Sequence, residues 1–129
     1  MQVTGLDHLV LTVRDLRSTI SFYEILGCTH ELFTTASGDK RHALRFGTQK
    51  INLHEAQKPF MPHAQEPQPG SADLCFLTDQ NPEAWIIHLQ QHHVEIEEGP
   101  VARTGATGPL MSVYVRDPDG NLIEIAKAQ

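Results

Sequence analysis

The order of apolar runs, helical spacing and turn signals in the first half of the chain returns in the second half. From Leu6 the residues Leu-Asp-His-Leu-Val-Leu-Thr-Val read as a short strand with His8 near its start. Asp15 supplies a helix N-cap, and Leu16, Ile20, Phe22, Tyr23 and Leu26 recur at helical spacing until Gly27. Three β segments follow, at about Thr29 to Thr35, Arg41 to Phe46 and Lys50 to Glu55, divided by Ser-Gly-Asp and Gly-Thr-Gln turns. Residues 57–71 hold four of the eight prolines and show no sustained periodicity, so they form an extended linker. Beyond it the sequence predicts a strand at Ala72 to Thr78 and an Asn81-Pro82 cap, then a helix with Trp85, Ile86, Leu89 and His93 on one face. Three more strands are predicted at about Val94 to Glu98, Leu110 to Arg116 and Leu122 to Lys127. The expected architecture is α+β: one domain over 1–129, built of two tandem βαβββ modules at about 5–56 and 72–129. Their curved mixed sheets are expected to enclose a cleft.

Duplication matters for chemistry because equivalent strand positions carry polar side chains into otherwise apolar runs. A shift of 65 residues brings His8 onto Asp73, and a shift of 70 brings Ile51-Asn52-Leu53-His54 onto Asn121-Leu122-Ile123-Glu124. Side chains alternate across a sheet, so Glu124, flanked by Ile123 and Ile125, points either to solvent or into a cavity where its charge must be compensated. A divalent cation would do so. Imidazole and carboxylate donors without thiolate suit Mn, Fe(II), Co, Ni or Zn, and two histidines with one carboxylate leave coordination positions open. The other histidines, His30, His42, His63, His88, His92 and His93, have no such placement.

Composition narrows the function classes. Ten Lys plus Arg against sixteen Asp plus Glu give a net charge of −6, the wrong sign for a protein that tracks nucleic-acid phosphates. Cys28 and Cys75 form no close pair and lie in apolar runs, which predicts buried, reduced thiols and a cytoplasmic setting. No apolar run approaches the ~18 residues of a membrane span. On the substrate side, Gly99 to Pro109 reads as a flexible loop carrying Arg103, which could grip an anionic group or serve only as surface. Ser112, Tyr114 and Arg116 alternate with apolar residues, so Tyr114 could orient substrate, with Arg116 binding substrate or pairing with Asp117 or Asp119.

Asp7-His8-Leu9, Val13-Arg14-Asp15-Leu16, Phe22-Tyr23-Glu24-Ile25-Leu26-Gly27 and, most specifically, Val115-Arg116-Asp117-Pro118-Asp119-Gly120-Asn121-Leu122-Ile123-Glu124 resemble the vicinal oxygen chelate superfamily. That group includes glyoxalase I, fosfomycin-resistance thiol transferases, extradiol dioxygenases and metal-free bleomycin-binding proteins. The resemblance implies one divalent metal per site, with His8 and Glu124 as ligands. The position where the family usually has a histidine is held here by Asp73. The strand-four ligand falls on Asn52 or His54, of which His54 is the stronger donor for borderline metals. Glu124 would double as the proton shuttle. The implied activity is lyase or isomerase chemistry on a small substrate with two neighbouring oxygens. Dioxygenase, thiol transferase and non-enzymatic binding are the alternatives, and a homodimer is the expected assembly.

Overall fold

The computed structural model describes all residues from Met1 to Gln129 as two compact units, Met1–Pro69 and Gly70–Gln129. Unit one runs β1 (His8–Val13), α1 (Leu16–Ile25), β2 (Thr29–Thr34), β3 (Lys40–Phe46) and β4 (Gln49–Glu55). Unit two runs β5 (Asp73–Leu77), α2 (Pro82–Gln91), β6 (Glu98–Thr104), β7 (Pro109–Arg116) and β8 (Leu122–Ala128). Each carries one four-stranded mixed sheet, ordered β1-β4-β3-β2 and β5-β8-β7-β6, with β1 parallel to β4 and β5 parallel to β8. The βαβββ order is therefore present twice.

Local sequence explains the helix ends. Asp15 accepts from the Ser18 backbone N–H at 2.8 Å, satisfying one orphan donor of α1, and Gly27 at φ +93° ends that helix where a side chain would be strained. In unit one Thr19, Phe22 and Tyr23 of the helix are buried, as are Leu11, Val13, Leu44, Ile51 and Leu53, which share one sheet face by alternation. In unit two Leu89, Val113, Val115, Ile123 and Ile125 form the corresponding apolar layer.

Two expectations are corrected. The strand expected at Val94 to Glu98 begins only at Glu98; β6 instead takes up most of the stretch read as a flexible loop. The glycines and prolines misled because β6 is the outermost strand, where a proline interrupts no ladder on its open side. Gly99, at φ +114°, lies so close under β7 that an added Cβ would sit 2.5 Å from the Ser112 carbonyl oxygen, so its glycine is required by contact rather than mobility. The second correction concerns the cysteines. Both are free and Cys28 is buried, but Cys75 is exposed, because it shares with Asp73 and Leu77 the face of edge strand β5 opposite the apolar layer.

His30 and His42, placed diagonally on β2 and β3, share a hydrogen bond between His30 Nε2 and His42 Nδ1 at 2.8 Å. Their ring planes differ by 12° and the centroids lie 5.1 Å apart, the spacing of an in-line N–H···N bond with one shared proton. Burial first, then the neighbouring His30, holds His42 below the usual histidine range, with Glu55 opposing. A depressed histidine binds fewer protons folded than unfolded, so stability is full above about pH 6.5 and declines as pH falls below it. Melting temperatures measured from pH 7.5 to 5 are expected to fall, and His42→Gln to flatten that slope. An unchanged slope in the variant would remove His42 as its source.

Candidate functional site

Strand register sorts the polar residues by face. In unit one Val10 pairs Asn52, Thr12 pairs His54, Ala43 pairs Asn52 and Glu31 pairs Ala43. Side chains of paired residues share a face, so His8, Lys50, Asn52, His54, Arg41, Arg45, Glu31 and Phe33 occupy the face opposite the apolar layer. The fold thus places His8, Asn52 and His54 on one surface.

His8 is exposed and its Nδ1 is bound to Asp7 Oδ1 at 2.8 Å, an ion-pairing contact that holds the Asp7 carboxyl below its ordinary range. The Gln49 side chain donates to the Leu6 carbonyl at 3.0 Å and ties down the chain just before His8. With Nδ1 committed to a carboxylate, Nε2 is the nitrogen left to bind an electrophile, the arrangement that commonly orients metal-binding imidazoles.

His54 is differently placed. It is buried, and its Nε2 lies 3.3 Å from Arg41 Nη1. A guanidinium only donates, so His54 Nε2 accepts and its lone pair is engaged. Burial first, then the Arg41 charge, lowers the His54 pKa. The ring also meets Phe60 edge-on, with centroids 5.5 Å apart. Asn52, one step back along β4, keeps a buried side-chain oxygen with no hydrogen-bond partner.

Register also revises how the two modules superimpose. Val10 faces Asn52, and Cys75, the counterpart of Val10, faces Glu124. Asn52, not His54, is therefore the internal equivalent of Glu124. Matching the strand ends by their apolar pattern erred by two residues, and a two-residue slip leaves every side chain on its original face, so alternation could not detect it.

In unit two the face carrying Glu124 also bears Asp73, Cys75, Ser112, Tyr114, Arg116 and Glu98. Ser112, fully buried, donates from Oγ to Glu124 Oε1 at 2.6 Å. Arg103 Nε donates to Tyr114 Oη at 2.9 Å and Arg103 Nη2 to Glu98 at 3.2 Å. The Tyr114 pKa is raised, by burial first, with the neighbouring Glu124 charge adding to the shift and Arg103 opposing it. Tyr114 and Glu124 are register partners across β7 and β8, so the phenol and the carboxylate stand side by side on this face. Ser112 thus holds the Glu124 carboxylate, and beside it stands a phenol that Arg103 holds. Cys75 faces Glu124 in register, and although the residue is exposed, partial desolvation of its thiol, followed by that carboxylate, pushes it up to about 11. Asp73, exposed, stands one step back on the same face.

Arg116 is engaged elsewhere. Its Nε and Nη2 donate to Glu97 at 2.9 and 3.0 Å and Nη1 to the Gly120 carbonyl at 3.2 Å, so its partner is Glu97 rather than Asp117 or Asp119. The Asp-Pro-Asp-Gly-Asn run proves architectural. Asp117 Oδ1 accepts from the backbone N–H groups of Asp119 and Asn121, and Asp117 Oδ2 from the Asn121 amide at 2.7 Å. Asn121 Oδ1 accepts from the Ala72 N–H at 2.8 Å, tying the start of β5 to the start of β8.

No three His, Cys, Asp or Glu side chains lie together as a ready metal-binding group. The donor chemistry of the individual residues nonetheless fits a divalent ion at His8, through its oriented Nε2, and at Glu124, an anchored carboxylate. It fits His54 poorly, because Arg41 occupies the lone pair. Arg41 itself was missed in the sequence; its one visible signal was a cation alternating with Ala43 and Arg45 along β3.

The sequence family described as the Glyoxalase/Bleomycin resistance protein/Dioxygenase superfamily matches residues 5–125. The glyoxalase domain-containing protein RDO1 of Mycosarcoma maydis is 51% identical over 129 residues, covering 100% of this chain and 71% of that protein. The virulence protein STM3117 of Salmonella typhimurium is 52% identical over 128 residues, covering 98% and 86%. Its crystal structure superimposes with a TM-score of 0.90 over 100% of both chains. The metallothiol transferase FosB of Staphylococcus epidermidis is 28% identical over 126 residues, covering 97% and 82%.

Proposed function

The chain belongs to the glyoxalase, bleomycin resistance protein and dioxygenase superfamily, and on that footing we propose that it is a divalent-metal-dependent enzyme of glyoxalase I type, a lyase or isomerase acting on a small substrate with two neighbouring oxygens. The observation that carries this reading is the Ser112–Glu124 hydrogen bond, which anchors one carboxylate on the sheet face opposite the apolar layer, beside the Tyr114 phenol that Arg103 holds. His8 and Glu124 are the proposed metal ligands. Asp73 is a further candidate, and Asn52 takes precedence over His54 as the strand-four donor. The metal, when bound, supplies Lewis-acid stabilisation of negative charge developing on the substrate oxygens.

The chain's own residues do the rest. Glu124 removes the proton from the carbon beside one oxygen and returns it to the neighbouring carbon, so the carboxylate ends as it began. Tyr114, kept as a phenol, donates to Glu124 and resets its orientation after each transfer. Arg103 fixes Tyr114. Arg116 braces the strand end through Glu97 and reaches substrate only if that pair opens. The name of FosB, a metallothiol transferase, supports metal dependence and keeps thiol transfer as the second activity to assay. Asp73, a harder and shorter donor than imidazole, favours the other reading, a small-molecule-binding protein without turnover.

Protein purified without chelator is expected to carry about one divalent ion per chain, and His8→Ala to lose it, as measured by elemental analysis. A metal-free chain whose melting temperature is indifferent to chelator and to added Mn, Ni, Zn or Fe(II) would overturn the catalytic reading in favour of binding. Assays with hemithioacetals, with thiols plus epoxides and with catechols then separate the reaction classes. We further propose a homodimer, which a light-scattering mass near 14.4 kDa would refute. No helix is long and apolar enough to cross a membrane, and a cytoplasmic, nucleic-acid-independent protein remains the proposal.

A further inference from the structure

Four arginines stand on sheet strands, and three of them are paired with carboxylates: Arg45 with Glu31, Arg103 with Glu98 and Arg116 with Glu97. Arg41 is the exception. Its guanidinium carbon lies 3.5 Å from the centroid of the Phe60 ring, and Nη1 meets His54 at 3.3 Å, but no carboxylate contacts it. Its Nε is buried without a hydrogen-bond partner. In a guanidinium the Nε–H and the Nη2–H lie on one edge as a two-donor fork, while Nη1 lies on the other side; His54 therefore takes the lone donor and leaves the fork free.

A half-buried cation with an unused fork is costly unless an anion completes it. The surroundings are arranged to hold that fork in place. Phe60 covers one face of the guanidinium, and His54, an acceptor only while neutral, fixes its far side. The rest of this face is cationic although the chain as a whole carries −6: Lys50 lies 4.0 Å from the Phe33 ring centroid, and Glu31 is already matched by Arg45. Asp7, the other acid on this side, sits at the opposite end of β1 beside His8.

We propose that Arg41 is the anion-recognition residue of this face and takes one oxyanion of the substrate, a carboxylate or phosphate-type group, in a bidentate contact through Nε and Nη2. The position of the anion within the substrate rests on the metal-enzyme reading above. Ala43 faces Asn52 and Arg41 lies two residues along β3, so Arg41 shares the Asn52 face one pleat repeat away, beside His54. A fitting substrate is a small acid that carries an oxyanion in addition to its two neighbouring oxygens.

The test uses the full chain treated with chelator, so that no metal contributes. Acetate, inorganic phosphate and neutral acetamide are titrated separately while the Arg41 Nε–Hε signal is followed by nitrogen-15 NMR, assigned by its loss in Arg41→Lys. A saturable shift with acetate or phosphate and none with acetamide is expected; whichever anion binds more tightly identifies the group. Arg41→Met is expected to weaken that binding about 10- to 100-fold, and Arg45→Met to leave it within about threefold. An Arg41 signal indifferent to both anions, or equal affinity in wild type and Arg41→Met, would overturn the proposal. Anion binding in a chain that never holds metal would leave Arg41's role standing and discard the metal-enzyme reading; metal binding with a silent Arg41 would do the reverse.

Discussion

Glu124→Gln is expected to lower metal-dependent turnover by about 10²- to 10⁴-fold while leaving the fold intact. Glutamine has the same shape and can still accept from Ser112 Oγ, which lies 2.6 Å from Glu124 Oε1, so β7 and β8 lose no packing. What it loses is the ability to take up a proton and the negative charge that would hold a cation. Melting curves of variant and wild type should coincide, while kcat falls. An independent readout comes from Tyr114, whose pKa Glu124 helps raise. Without that charge the phenol should ionise at lower pH, visible as an earlier rise in tyrosinate absorbance. Tyr23, the other tyrosine, is fully buried and gives a separate background. Turnover within tenfold of wild type would remove Glu124 from the chemistry, and an unmoved Tyr114 titration would break the proposed relay.

Asn121→Ala is expected to destabilise the chain by about 4 kcal/mol, a large share of the 5–15 kcal/mol typical of a folded domain. The side chain is fully buried and makes two hydrogen bonds that nothing else can replace. Its loss leaves the Ala72 N–H without its acceptor and strips Asp117, itself 5% exposed, of a donor that helps compensate its buried carboxylate. Orphaning a neutral buried donor costs roughly 1–3 kcal/mol, and weakening the solvation of a buried charge costs more. Asn121→Asp should be worse still, because it sets a second carboxylate 2.7 Å from the first and turns a donor into an acceptor. Urea unfolding measures both. A loss below about 1 kcal/mol in Asn121→Ala would show that the β7–β8 turn holds without the clamp.

The contrast between these two residues shows what kind of information a motif carries. The run from Asp117 to Glu124 was the most specific stretch in the sequence, yet most of it is architecture: Asp117 and Asn121 close a turn and fasten β5 to β8, and only Glu124 is aimed at an open face. Arg103 was legible as a candidate cation, but its setting was not. The glycines and prolines around it suggested a mobile loop, whereas it sits on edge strand β6, fixed between Tyr114 and Glu98. Ser112 was seen as part of a polar stripe without its role, since its partner Glu124 is twelve residues away and reachable only through the antiparallel pairing of β7 with β8.

Taken alone, the amino-acid sequence determined the βαβββ repeat, the Asp15 cap of α1, the face on which the strand residues outside β6 lie, and the family. These are properties of local spacing: a period of two in strands, a period near 3.6 in helices, and turn residues between them. Tertiary structure decided the choices that spacing leaves degenerate. Whether Asn52 or His54 matches Glu124 depends on strand register, and both alternatives satisfy the same alternation. Which histidine keeps a usable lone pair depends on neighbours distant in sequence: Asp7 orients His8 outward, while Arg41, brought alongside by the β3–β4 pairing, occupies His54. Hydrogen-bond partners and charge compensation are set by which strands become neighbours, and that is settled only when the chain has folded.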